Sequence, residues 1–256
     1  MNQVPKYPFL LIHGAGYENE FPLPYWGRIP KTLEDFGCTV YLCETGPWDS
    51  MVNNGEKVAN EVKRMVDKIP CEKVNLIGHS RGGLEARVST HMGAASYISS
   101  ITTICAPHYG CDYIPELVDS FKFRLYNRIV DSFWTHIRKT RTDAKKGIME
   151  MTPEAMIRFN EKYTDIPGIY YQSYGALIEE YRGDWPRYIL YRILADTGEN
   201  NDGLVSPESA NWGEYKETLR HCSHQYLADT FQLDDGGVNV PEFYLEIVKD
   251  LAQRGF

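Results

Sequence analysis

Ser80 stands between Gly78 and Gly82 in the run VNLIGHSRGG, residues 74–83. A serine hydroxyl is a weak nucleophile at its ordinary pKa, so reactive serines need a base to take the proton and an acid to hold that base. Where such a serine sits on a strand-to-helix turn, the acid follows it in the chain and the histidine comes last. Of the seven histidines, His221 and His224 lie in the C-terminal region where that base belongs. Between them and the serine, GENNDGLVSPES at 198–209 offers Asp202 in a turn-forming run, with Asp196 and Glu199 as rivals. The competing reading of Asp202 is an ordinary Asp-Gly turn residue. The chemistry these residues could do together is acyl transfer through an activated hydroxyl.

Such a serine has to be positioned by a strand and a helix, and the sequence supplies both. Val74, Leu76 and Ile77 form a short apolar strand; a helix-like pattern runs from about Arg81 to Met92. A turn this tight has no room for neighbouring side chains, which accounts for the glycine two residues either side of the serine. The G-x-S-x-G pattern arises by chance in roughly one chain in ten of this length, so its placement carries the signal. Elsewhere FLLI (9–12), TVYLC (39–43), ISSITTIC (98–105) and IPGIYYQSYGA (166–176) read as strands. FLLI shows no alternation, as suits a strand covered on both faces. Residues 26–37 read as a helix ending at Gly37, and Val58, Val62, Met65, Val66 and Ile69 share one helical face before Pro70. Strands alternating with helices predict a mostly parallel α/β sheet with helices on both faces, within one domain over 1–256.

Composition bounds the function. The chain has 256 residues, 43% of them hydrophobic and 24% charged, with a formal net charge of -8. That charge disfavours a general nucleic-acid binder, which must displace counterions from phosphates. The six cysteines form no C-x-x-C pair, so no zinc site is expected. Buried thiols in a reducing compartment follow, with a cytoplasmic location; a secreted chain lacking its signal would read the same way. No apolar run approaches a membrane span.

Several stretches resemble the bacterial true lipases of the Pseudomonas/Burkholderia and Staphylococcus type, within the α/β-hydrolases. VNLIGHSRGG is similar to their VNLIGHSQGG, and FLLIHGAG resembles their oxyanion-strand motif. ITTICAPHYG resembles VTTIGTPHRG, FNEKY with GIYYQSYGA resembles the strand before the acid, NDGLVS the acid loop, and SHQYLADTF the histidine loop. The resemblance implies an α/β-hydrolase fold, with Ser80 as nucleophile, Asp202 as acid, and His224 rather than His221 as base. It also implies an oxyanion hole from the backbone N–H groups of Ala15 and Arg81, with His13 and His79 structural. In place of the family's glutamine after the serine stands Arg81. In place of the aspartate two residues after the catalytic histidine, which binds a structural calcium in these lipases, stands Tyr226, with Asp229 nearby but off register. The expectation is therefore no metal and no cofactor.

Residues 111–150 match the family least and read as a helical cap without strands. Phe121, Leu125, Ile129, Phe133 and Ile137 recur every fourth residue, and residues 121–147 carry eight Lys/Arg against two Asp. The ladder is either core packed on the sheet or the apolar face of a lid contacting a lipid surface. On the lid reading Phe121, Phe123, Tyr126, Phe133 and Trp134 line the substrate entrance. The function these readings converge on is a lipase or esterase acting on a small-molecule or lipid ester through an acyl-enzyme. Thioesterase, amidase or acyltransferase chemistry would use the same three residues, and a non-catalytic binding protein would have shed one of them.

Overall fold

The computed structural model describes residues 4–20, 23–121, 123–125, 128, 132, 136, 143–178, 200–233 and 237–256. Six strands form one sheet: β1 (Phe9–Ile12), β2 (Val40–Cys43), β3 (Val74–His79), β4 (Ile98–Ile104), β5 (Tyr170–Leu177) and β6 (Glu214–Arg220). Their spatial order is β2-β1-β3-β4-β5-β6, and every neighbouring pair is parallel. All strands therefore end on one edge, where the connecting loops can meet.

Side-chain alternation along β1 divides the core between the two faces. Phe9 and Leu11 pack with Trp26, Ile29, Leu33 and Tyr244. This side is covered by helices α1 (Ile29–Phe36) and α7 (Val240–Gln253). Leu10 and Ile12 pack with Val58, Val62, Met65 and Leu76. Here the cover is α2 (Met51–Lys68) and α3 (Arg81–Ser89). The sheet is thus buried on both sides, as the unbroken apolar run of β1 requires.

Three elements differ from the sequence expectation, each for a local reason. Helix α2 begins at Met51, ahead of its apolar ladder, because Ser50 caps it by accepting the Asn53 N–H at 3.1 Å. Helix α3 stops at Ser89 and continues as a wider turn over Thr90–Ala94, where Gly93 takes φ 77°. Strand β6 reads EYKETLR, with few apolar residues, because it is an edge strand with one flank in solvent.

The cap's described residues include α4 (Ile114–Asp119) and α5 (Ala144–Met149), followed by α6 (Pro153–Lys162), and no strand occurs among those between 112 and 150. The first two rungs of the apolar ladder face outward: Phe121 is 78% exposed and Leu125 52%. Core burial of the ladder does not hold at these two positions. Phe123, off the ladder, is the buried one; it packs with Ile114, Val118 and Val205. Ile129, Phe133 and Ile137 lie outside the described residues, as do Tyr126 and Trp134. Among the described residues no helix is long and apolar enough to cross a membrane.

Gly55 marks the tightest helix crossing. A Cβ there would run into the side chain of Val88, which is fully buried. Gly→Ala inside a helix ordinarily gains about 1 kcal/mol. At this crossing overpacking costs about 1–3 kcal/mol and outweighs that gain. Gly55→Ala is expected to lower the melting temperature by roughly 2–4 °C in a thermal unfolding scan; a rise would refute the crossing.

Candidate active site

The nucleophile turn follows directly from β3. Ser80 holds φ 55° and ψ −132°, a conformation few non-glycine residues adopt. Its N–H donates to the Ile104 carbonyl at 2.8 Å and its carbonyl accepts the Gly83 N–H at 3.0 Å. A Cβ on Gly78 would lie 2.5 Å from the Gly83 nitrogen, and one on Gly82 would collide with the Ile12 carbonyl. These two close approaches are why glycines flank the serine. With no side chain between them, α3 sits against the end of β1, and its first N–H groups have no carbonyl one turn back within the helix.

The candidate acid follows β5 and the candidate base follows β6. Ile178 N–H donates to the Asn201 carbonyl at 2.9 Å, which returns the acid loop to the end of β5. Cys222 N–H donates to Leu177 O at 3.1 Å and brings the histidine loop to the same place. Asp202 is 1% exposed. Its Oδ1 accepts the N–H groups of Leu204 (2.9 Å) and Val205 (2.8 Å). Its Oδ2 accepts the Nδ1–H of His224 at 2.8 Å. That bond fixes the His224 tautomer and leaves Nε2 able to take a proton. Asp202 therefore pairs with His224, while His221 sits at the turn after β6 with φ 61°. Asp196 and Glu199 lie outside the described residues.

Two buried histidines hold the loops together. His79 Nε2 donates to the His224 carbonyl at 3.0 Å, so its Nδ1 accepts the Tyr25 hydroxyl at 2.7 Å. The His79 and His224 rings lie 4.7 Å apart, with Ser80 the next residue along. His13 donates from Nδ1 to its neighbour's carbonyl, Gly14 O, at 2.9 Å, and its Nε2 accepts Thr45 Oγ1 at 3.1 Å. Burial lowers the pKa of both rings, that of His79 well below the usual 6.5, which keeps them neutral and suits these donor–acceptor pairs.

Gly14 faces the serine: a Cβ on it would stand 3.1 Å from Ser80 Cβ and 2.6 Å from the Tyr25 hydroxyl. Ala15 follows on the same loop, and among the described residues its N–H meets no acceptor. Arg81 opens α3, so its backbone N–H is one of the helix's unpaired first-turn donors. Both sequence-predicted oxyanion amides thus belong to segments that border Ser80.

The Arg81 side chain turns away from the crevice and is fully buried. It donates to the Asp49 carbonyl and to Glu150 Oε2, the latter at 3.2 Å, and lies 3.3 Å from Glu85 Oε1. Glu150 Oε2 also accepts the Met51 N–H at 2.9 Å. The guanidinium thereby ties the nucleophile helix to the N-terminus of α2 and to the end of the cap. The substrate-lining residues of the sequence reading are not gathered here. Phe121 is exposed, Phe123 packs beneath the acid loop, and Tyr126, Phe133 and Trp134 lie outside the described residues. A cavity of about 500 Å³ opens beside the acid loop, lined by Tyr109, Cys111, Tyr113, Asn201, Leu204 and Ser206 among others, without Ser80 or His224.

The calcium question has a structural answer. Tyr226 is buried and its hydroxyl donates to Val238 O at 3.1 Å. Asp229, 2% exposed, receives the Arg28 backbone N–H at 2.6 Å, Nε at 3.0 Å and Nη2 at 2.7 Å. Arg28 donates to both oxygens of this carboxylate and neutralises its charge, and Tyr226 offers no carboxylate, so these residues do not fit a calcium ion at this place. Sequence reasoning missed the Arg28–Asp229 pair, which joins residues 201 apart and has no local signature. Cys105, Asp202 and His224 also offer metal-ligand atoms within 4.8 Å of one another. Burial beside Asp202 holds the thiol's pKa well above 9, so it stays protonated and is no ready thiolate ligand.

A family model described as a PGAP1-like alpha/beta domain matches residues 52–161. Triacylglycerol lipase 2 of Saccharomyces cerevisiae is 29% identical over 94% of this chain and 77% of its own length. A triacylglycerol lipase of Pseudarthrobacter phenanthrenivorans is 33% identical, over 46% of this chain and 38% of that one. The solved Staphylococcus hyicus lipase superposes with a TM-score of 0.75 at 17% identity, covering 98% and 97% of the two chains. This chain has the α/β-hydrolase fold. Its sequence is similar to those of triacylglycerol lipases along nearly its whole length.

The buried charges can be probed directly. Arg28→Met strands the Asp229 carboxylate without its cation and is expected to cost about 3 kcal/mol in urea unfolding. Adding Asp229→Asn should recover part of that loss. Burial raises the Glu85 pKa from 4.5 to about 7. The folded chain holds that proton more tightly than the unfolded chain. Glu85's contribution to stability is thus complete below about pH 4.5 and lost as pH rises through about 7. Glu85→Gln should flatten the fall in melting temperature across that window.

Proposed function

We propose that this chain is a serine carboxylic-ester hydrolase, a lipase or esterase of the bacterial true-lipase type, acting through an acyl-enzyme on Ser80. The observation that carries the reading is the buried Asp202–His224 pair at 2.8 Å, set in the crevice where the strained Ser80 turn ends β3. The lipases named above, similar along the chain, support an ester of a lipid as substrate.

In the proposed reaction His224 Nε2 takes the Ser80 proton as Oγ attacks the ester carbonyl. Asp202 holds the imidazole by its Nδ1–H and stabilises the imidazolium that forms. Charge developing on the carbonyl oxygen is met by the N–H groups of Ala15 and Arg81, and losing one such donor typically costs ~10²–10³ in rate. His224 then protonates the leaving alcohol, and water attacks the acyl-enzyme with His224 again as base. No step passes through calcium; the Arg28–Asp229 pair supports fastening of the histidine loop by protein alone. The six cysteines are all free.

The test is a p-nitrophenyl ester series from acetate to palmitate, run beside acyl-CoA and amide substrates. Esters should be cleaved fastest. Ser80→Ala should lose at least ~10³-fold in kcat and all labelling by a fluorophosphonate probe. Full labelling of the Ser80→Ala variant would end the assignment, and faster acyl-CoA or amide cleavage would move the enzyme to thioester or amide chemistry.

A further inference from the structure

Cys105 closes β4 in an unusual way. It is fully buried and holds φ 50°, a left-handed conformation that glycine adopts freely and cysteine does not. The lipase motif quoted above has glycine at this position. Retaining a side chain here costs backbone strain, so what the side chain touches matters. The residue before it, Ile104, accepts the Ser80 N–H, and the Cys105 N–H donates to Tyr174 O at 2.9 Å. Its Sγ lies within 4.8 Å of both the Asp202 carboxylate and the His224 ring nitrogen. One dipeptide therefore contacts the nucleophile through its backbone and approaches the acid–base pair through its side chain.

An ionised carboxylate has about four acceptor sites. Asp202 fills three of them, with the Leu204, Val205 and His224 N–H groups. The other ionisable groups around Cys105 are Cys222, Tyr25, Tyr215 and Tyr244, all of them neutral acids when buried. We propose that Cys105 is a positioning residue whose S–H donates to the fourth acceptor site of Asp202 and holds that carboxylate against His224. The thiol stays protonated beside this anion, as the role requires. The inference rests on Asp202 and His224 acting on Ser80 as set out above.

Removing the donor leaves the Asp202 charge less satisfied. The carboxylate then pulls harder on the protonated imidazole in the free enzyme. Cys105→Gly relieves the backbone strain while deleting the donor, and Cys105→Ser keeps a donor of similar size. The measurement is kcat and KM on one p-nitrophenyl ester across pH, with Cys105→Gly, Cys105→Ala, Cys105→Ser and Ser80→Ala compared. A weak thiol donor, with no more than the net strength of an ordinary neutral hydrogen bond, predicts a loss of about three- to tenfold in kcat for the Gly and Ala variants, at nearly constant KM. The acidic limb of their kcat/KM profile should move to higher pH, and the Ser variant should restore both. Wild-type kcat and profile in Cys105→Gly would overturn the proposal, as would a Ser variant no better than Gly. An active Ser80→Ala would instead bring down the hydrolase reading beneath it.

Discussion

The whole arrangement depends on how closely helix α3 lies against the end of β1. At Gly82 the backbone of one touches the carbonyl of the other, and no side chain larger than hydrogen fits between them. That approach aims the first turn of α3, and with it Ser80, over the strand edge. It also brings the loop after β1, with Gly14 and Ala15, beside the serine. A wider spacing would leave the hydroxyl and the loop amides too far apart to act on one carbonyl. The parallel order of the sheet then delivers the loops after β5 and β6 to the same edge.

Burial explains why the polar groups around this edge are paired as they are. His13, His79, Asp202 and His224 are all nearly inaccessible, so each ring nitrogen or carboxylate oxygen left unpaired would be expensive. Their bonds link four loops into one network: Thr45 to His13, Tyr25 to His79, His79 to the His224 carbonyl, and His224 to Asp202. The buried Arg81 side chain ties segments together in the same way, reaching Asp49, Glu85 and Glu150. A glutamine could not present the same positive charge to Glu85 and Glu150. The departure from the lipase pattern at residue 81 is thus matched by two acids beside its guanidinium.

The fold was largely legible where burial imposes a pattern. Strand β1 announces itself as an unbroken apolar run and the Ser80 turn by the glycines its crowding demands, while β3, β4 and β5 carry buried polar residues such as Asn75, Ser100 and Gln172. Strand β6 was not legible, because an edge strand half in water can be charged. The pairing of Asp202 with His224 was narrowed by chain order and by resemblance; spacing alone left His221, Asp196 and Glu199 open. Arg28 with Asp229 was invisible because it joins distant segments through a single pair of side chains. The cap ladder shows the converse: a clear helical period gave the face but not its direction, since Phe121 and Leu125 turn outward and Phe123 inward.

The bond from Ile178 N–H to the Asn201 carbonyl has an evolutionary reading. It fastens the residue before Asp202 to the end of β5, so the place of the carboxylate is set by the strand. Changes of sequence between residues 178 and 201 can therefore accumulate while Asp202 keeps its place beside His224.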